Sequence, residues 1–154
     1  MMKKVALALG SNMGEREVYF DYALKRLVEE GLENLRMAQI VESDPMYCPE
    51  GSGLYLNSAL IADWDGEALD LLQLCLKIEK EAGRERSGII NESRYLDLDV
   101  LLIAEDTYDL PDLIVPHPRM LERDFVLGPL AELASEWLIP GANKTVGQCL
   151  AEIR

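Results

Sequence analysis

The run Arg94-Tyr95-Leu96-Asp97-Leu98-Asp99-Val100-Leu101-Leu102-Ile103 constrains this chain more than any other stretch. Its density of aliphatic residues predicts a strand over 95–104. Strand side chains alternate, so Leu96, Leu98, Val100 and Leu102 fill one face. Tyr95, Asp97, Asp99, Leu101 and Ile103 share the other. A face of four aliphatics has to lie on a core, which makes the opposite face a rigid mount for two carboxylates pointing the same way. Like charges that close repel unless a cation or an arginine sits between them.

The rest of the chain supplies elements for that strand to pack against. Residues 4–10 read as a buried strand ended by Gly10, and Ser11 or Asn12 can cap a following helix. Val18, Tyr22, Leu24, Leu27 and Val28 recur at roughly helical spacing up to Gly31. Residues 35–43 look like one strand, 44–53 a Pro- and Gly-bearing loop, and 55–65 another strand. A long helix follows, with Leu69, Leu72, Leu76 and Glu79 stacked on one side. Leu71, Leu74, Cys75 and Ile78 widen its apolar stripe, and Gly83 is placed to stop it. Beyond the aspartate strand, 105–113 is turn-rich. Helix returns over about 119–134 with a break expected at Gly128-Pro129, and 145–153 forms a closing helix. Strands separated by helices predict an α/β or α+β sandwich. The length of 154 residues suits a single domain spanning 1–154.

Composition narrows the partners. A net charge of −13 disfavours nucleic acid and anionic membranes, and no apolar run approaches the length of a membrane span. The N-terminal stretch does not read as a signal peptide, so a cytoplasmic protein is expected. Cys48, Cys75 and Cys149 are scattered without metal-ligand spacing, which favours reduced thiols over zinc. Against this acidic background the cations gather in two groups: Arg84, Arg86 and Arg94, then His117, Arg119 and Arg123. Either the groups bind a compact anion, or they pair at the surface with Glu79, Glu81, Glu85 or Glu122.

Asp97 and Asp99 fit a hard divalent cation held by oxygen ligands, with magnesium completing its shell from water and substrate phosphates. They fit equally a solvated face or ion pairs with the arginines. Carboxylates beside arginines are the parts of a phosphoryl-transfer site, and no Walker-type loop is present, so a nucleotide would be held without one. His117, the only histidine, stands between Pro116 and Pro118 and serves either structure or anion contact. Asn57 interrupts an apolar strand and needs a partner for its amide. Phe125 can stack on a flat ring or belong to the core.

Taken in order, ALGSNMG (8–14), YLNSAL (55–60), IEKEAGRER (78–86), RYLDLDVLL (94–102) and VPHPRMLERDFVLGPLAELA (115–134) resemble the 6-hydroxymethyl-7,8-dihydropterin pyrophosphokinases of folate biosynthesis. The resemblance implies a ferredoxin-like core: a mixed, mainly antiparallel sheet with helices on both faces. It implies transfer of pyrophosphate from ATP, the co-substrate, to the hydroxymethyl group of a reduced pterin, releasing AMP, by a monomer or weak homo-oligomer. By position, Asp97 and Asp99 match the holders of two magnesium ions, and Arg84 and Arg94 match catalytic arginines. Glu79, Arg86, His117 and Arg123 match ATP-contacting positions. Asn57, Phe125, Tyr55, Ser43, Asp44 and Met46 match the pterin pocket.

The chain departs from the family pattern in its loops. Asn91 stands where members carry a tryptophan, Ser87 where a basic residue is common, and Asp44-Pro45-Met46 replaces a threonine-proline-proline run. The segments 44–53 and 87–93 are the expected covers of the site. Besides a working pyrophosphokinase, this leaves open a catalytically weak binder of nucleotide or pterin, and a metal-dependent phosphohydrolase.

Overall fold

The structure is a computed structural model that describes residues 2–11, 16–43, 55–82 and 96–154. The expectations for Asp44, Met46, Arg84, Arg86, Arg94, Gly83, Ser87, Asn91 and Cys48 lie outside those residues. So do the side chains of Ser43 and Tyr55.

Chain order is β1 (Lys3–Ser11), α1 (Arg16–Glu29), β2 (Glu33–Met37), β3 (Val41–Ser43), β4 (Tyr55–Trp64), α2 (Ala68–Glu81) and β5 (Asp97–Ile103). The main sheet runs β2-β4-β1-β5, with β3 continuing the β2 edge along β4, and every pairing is antiparallel. Two β-α-β units thus interleave in the ferredoxin-like order that the resemblance implied. A hairpin of β6 (Tyr108–Asp109) and β7 (Ile114–Val115) leads to a 3-10 turn at Met120–Glu122 and then α3 (Asp124–Ala134). The small hairpin β8 (Leu138–Ile139) and β9 (Lys144–Thr145) precedes α4 (Val146–Ile153).

Helices cover both faces, and each face has its own core. On one, α1 and α2 lay Phe20, Leu27, Leu71 and Ile78 against Val5, Leu7, Leu9, Leu60 and Leu98. On the other, α3 and α4 lay Leu127, Leu130, Val146 and Cys149 against Ala6, Ala8, Ala59 and Leu102. The second face of the central strands is built from alanines, so α3 can come down close to the sheet. Thr145 closes the start of α4 with a capping box: its hydroxyl accepts from Gln148 N–H (3.2 Å), and the Gln148 side chain accepts from Thr145 N–H (2.8 Å).

Several sequence expectations are corrected. The buried stripe of α1 is Phe20-Ala23-Leu27, while Val18 and Val28 face solvent. In α2, Leu69 and Leu76 are exposed, while the expected Leu71, Leu74, Cys75, Ile78 and Glu79 are buried together with Ala68. Spacing alone offered two overlapping stripes in each helix, and the wider packing surface decided between them. The strand expected over 35–43 is two strands, because one extra residue at 38–40 shifts the register from Met37↔Leu60 to Val41↔Asn57. Helix α3 runs unbroken through Gly128-Pro129. Pro129 withholds only one N–H, and burial of Val126, Leu127, Leu130 and Ala134 outweighs that loss. Gly128 lets the Arg154 guanidinium reach Asp124 at 3.1 Å, where a Cβ would crowd it.

The most consequential correction is in β5. Leu7 pairs with Val100 and Ala6 with Leu102, so Leu101 is an extra residue on β5. Past this bulge the faces exchange. Leu102 joins Leu101 in the α3–α4 core, and Ile103 joins Leu98 and Val100 in the other. The reading of Leu102 and Ile103 was therefore reversed, while that of Leu96, Leu98, Val100, Asp97 and Asp99 is correct. Strict alternation has no place for an extra residue, and a one-residue slip changes every assignment after it.

Candidate active site

The register places the site residues in one row across the sheet. Gly10 pairs with Asn57 on one side and with Asp97 on the other, and Val41 pairs with Asn57 beyond. Directly opposed residues on neighbouring strands share a face, so Asn57 and Asp97 rise on either side of a residue with no side chain. Strands are about 4.8 Å apart, which separates the two by roughly 10 Å. The next row is Ala59, Ala8 and Asp99. The floor between the polar groups is thus Gly10, Ala8 and Ala59, on the face covered by α3.

Asp97 is half-buried and Asp99 exposed. Their Cα atoms are two residues apart on one strand, roughly 7 Å, with both side chains over the small floor. That donor set suits magnesium, a hard cation that takes one or two carboxylates and keeps waters and phosphates for its other positions. Among the described residues no group of three or more His, Cys, Asp or Glu side chains converges as a closed metal cage would require.

Neighbouring elements hold the aspartate strand along its outer edge. Glu79 from α2 is only 3% exposed, and its Oε2 accepts from Leu98 N–H at 2.7 Å, the amide between the two aspartates. Further along, His117 N–H donates to the Leu101 carbonyl (3.1 Å), so the bulge residue anchors the loop after β7. His117 Nδ1 accepts from Arg119 N–H (3.2 Å), which leaves Nε2 as the donor of the neutral ring. Burial lowers the His117 pKa. Asp99 opposes that shift, and Arg123 and Arg119 add to it.

The sign follows from this. An unfolded chain binds a proton at a pH where the folded ring stays neutral, so the contribution of His117 to stability is lost as pH falls below about 6.5. Since His117 is the only histidine, its Cε1 proton can be followed by itself in the NMR spectrum. Without nucleotide or metal, the titration midpoint is expected below 6.5. A midpoint above that value would contradict a desolvated ring.

Between α2, β5 and the β6–β7 hairpin lies a cavity of about 280 Å3. Leu72, Leu76, Leu113 and Ile114 make its apolar wall, and Glu79, Asp99 and His117 its polar rim. The resemblance singled out the polar rim, Glu79, Asp99 and His117, while the apolar wall was not anticipated. Its signal was present in the exposed apolar residues Leu76 and Ile114, which flank the polar positions yet belong to separate elements. On the other side of the aspartates, Phe125 packs half-buried against the α3–α4 core, and the Arg123 guanidinium lies 5.6 Å from its ring centre. Asn57 is 8% exposed.

Among the described residues, surface ion pairing does not account for Arg119 and Arg123. Arg119 and Arg123 form no ion pair among the described residues, and Glu81 is taken by Arg26 of α1 at 2.8 Å. Cys75 and Cys149 are buried free thiols, and burial pushes the Cys75 pKa far above its ordinary range. Among the described residues no helix is long and apolar enough to cross a membrane.

A ferredoxin-like sheet with an acidic pair on one face and a pocket along its outer edge defines a small α+β protein. The family described as 7,8-dihydro-6-hydroxymethylpterin-pyrophosphokinase (HPPK) matches residues 6–135, and the chain belongs to that family. A 2-amino-4-hydroxy-6-hydroxymethyldihydropteridine pyrophosphokinase of Bacillus subtilis is 39% identical over 131 residues, covering 84% of this chain and 77% of that protein. One from Pseudomonas aeruginosa is 37% identical over 145 residues, covering 91% and 86%. The folate synthesis bifunctional protein of Arabidopsis thaliana is 37% identical over 131 residues, or 85% of this chain, which spans only 27% of that longer protein. Among solved structures, Plasmodium falciparum HPPK-DHPS with pteroate superposes with a TM-score of 0.76 at 13% identity, covering 99% of this chain and 42% of that one.

Proposed function

We propose that the protein transfers pyrophosphate from ATP to the hydroxymethyl oxygen of 6-hydroxymethyl-7,8-dihydropterin and releases AMP. The observation that carries this reading is the row Asn57–Gly10–Asp97, with the pocket at the far side of the aspartate strand. Family membership supplies the chemistry, and the row supplies its direction. ATP laid with its base in the apolar pocket runs its phosphates past His117 and over Asp99 and Asp97. A flat pterin between Phe125 and the glycine floor then presents its polar edge to Asn57.

Asp97 and Asp99 would hold two magnesium ions, which offset triphosphate charge when bound. Glu79 and His117 rim the nucleotide pocket. His117 donates from Nε2, and Arg123 brings positive charge while its guanidinium lies over Phe125. By the resemblance, Arg84, Arg86 and Arg94 would add positive charge for the ATP phosphates. Ser43, Asp44, Met46 and Tyr55 would close the pterin side. In the reaction the hydroxymethyl oxygen bonds to the β-phosphorus, the bond from that phosphorus to the α-phosphate bridging oxygen breaks, and the hydroxyl proton passes to solvent. Catalysis of this kind rests on position and charge rather than on a covalent enzyme intermediate.

The test is a chromatographic assay with ATP, magnesium and the hydroxymethyl dihydropterin. AMP and the pterin diphosphate are expected in equal amounts. Tight ATP binding without AMP would make the chain a binding protein, and release of free phosphate without AMP would make it a phosphohydrolase.

A further inference from the structure

The bulge at 38–40 is held from both faces of the sheet. Ala38 N–H donates to the Ala59 carbonyl (2.9 Å), which keeps the edge paired across the extra residue. From the α1–α2 side, Ser58 Oγ donates to the Ala38 carbonyl (3.0 Å). From the α3 side, Glu132 Oε2 accepts from Gln39 N–H (2.9 Å), a contact between residues 93 positions apart. Immediately after the bulge comes β3, which sets Val41 opposite Asn57 and Ser43 opposite Tyr55.

Glu132 stands seven residues after Phe125 on α3, two helical turns along the same face, with buried Pro129 between them. The face of α3 that carries Phe125 is therefore tied by Glu132 to the edge strand that lies against Asn57. The bond joins the helix that carries Phe125 to the segment between β2 and β3.

We propose that Glu132 is a positioning residue for the pterin subsite, and the inference rests on the function proposed above. Its carboxylate pins the bulged Gln39 amide and so fixes the register of β3 and the height of α3 over Asn57. Loss of the acceptor leaves the bulge held only by the Ala38 and Ser58 bonds, which weakens its hold on a register whose one-residue slip would turn each β3 side chain to the other face.

The test uses Glu132→Ala and Glu132→Gln in the full chain, with circular dichroism to confirm the fold. In Glu132→Ala the KM for the pterin should rise about five- to tenfold, with kcat and the KM for ATP within about twofold of the parent. Glu132→Gln keeps an acceptor oxygen and should restore the parent KM. Amide exchange at Gln39, read by NMR, should speed up about tenfold in the alanine variant only. An unchanged pterin KM with an unchanged Gln39 exchange rate would overturn the proposal, as would a glutamine variant as impaired as the alanine one. If the parent protein made no AMP at all, the proposed function would fail, while the Gln39 exchange rate would still report on the clamp.

Discussion

Replacing Asp97 or Asp99 by alanine is expected to lower kcat by about a thousandfold or more, the largest effect of any single change in the site. Both residues sit on a strand whose inner face is buried through Leu96, Leu98 and Val100, and their partners across β1 are Gly10 and Ala8. Their side chains contribute little to the core, so the variants should melt within a few degrees of the parent. The drop in turnover should therefore appear in folded protein. Asn replacements keep the shape and remove the charge, and should lose nearly as much, because the ions expected there need anionic oxygen. The measurement is AMP release at saturating ATP and pterin, alongside a thermal melt. Retained turnover in folded Asp97→Ala would remove the aspartates from the proposed mechanism.

Glu79→Ala is expected to strike stability and activity together. The Glu79 carboxylate is buried and accepts the Leu98 amide. Truncation leaves that buried N–H without this acceptor and opens a gap between α2 and β5. Those two losses together cost about 3 kcal/mol, a fall of roughly 10 °C in the melting temperature for a chain of this size. Because Leu98 lies between Asp97 and Asp99, kcat should fall as well, measured below the melting range. Glu79→Gln preserves an acceptor and should recover most of the stability. If the only change in Glu79→Ala were a weaker ATP KM, with melting unaltered, Glu79 would be a ligand contact and not a support of the strand.

The architecture was largely legible because β1, β4, β5, α2 and α4 carry strong local patterns. Asp97, Asp99 and Asn57 could be singled out for a simple reason: polar groups in apolar strands are conspicuous. Their juxtaposition could not be read, since it depends on Gly10 lying between Asn57 and Asp97 in a pairing between distant segments. The cavity is equally non-local, drawing Leu72, Val100 and Ile114 from three separate elements. Glu79 was placed among ATP contacts by resemblance, but its bond to Leu98 belongs to the packing of α2 on β5 and has no signature in either segment. Bulges defeated the pattern reading at 38–40 and at Leu101, because each inserts a residue that alternation does not anticipate. In α1 and α2 the error was smaller, a rotation of the apolar stripe by about one position.

The extra residue Leu101 also makes the site depend on a count. On its N-terminal side the aspartate strand keeps time with the floor of Gly10 and Ala8, and on its C-terminal side with the core at Ala6 and Val5. The two halves run half a cycle out of phase, and the carbonyl at the break receives the His117 amide. Deleting Leu101 would restore a regular strand built from the same kinds of side chain. Leu102 and Ile103 would stay in their present cores, opposite Ala6 and Val5, but the histidine loop would lose the carbonyl that anchors it. What this stretch transmits to the site is a number of residues, and substitutions that respect the number are the ones it can absorb.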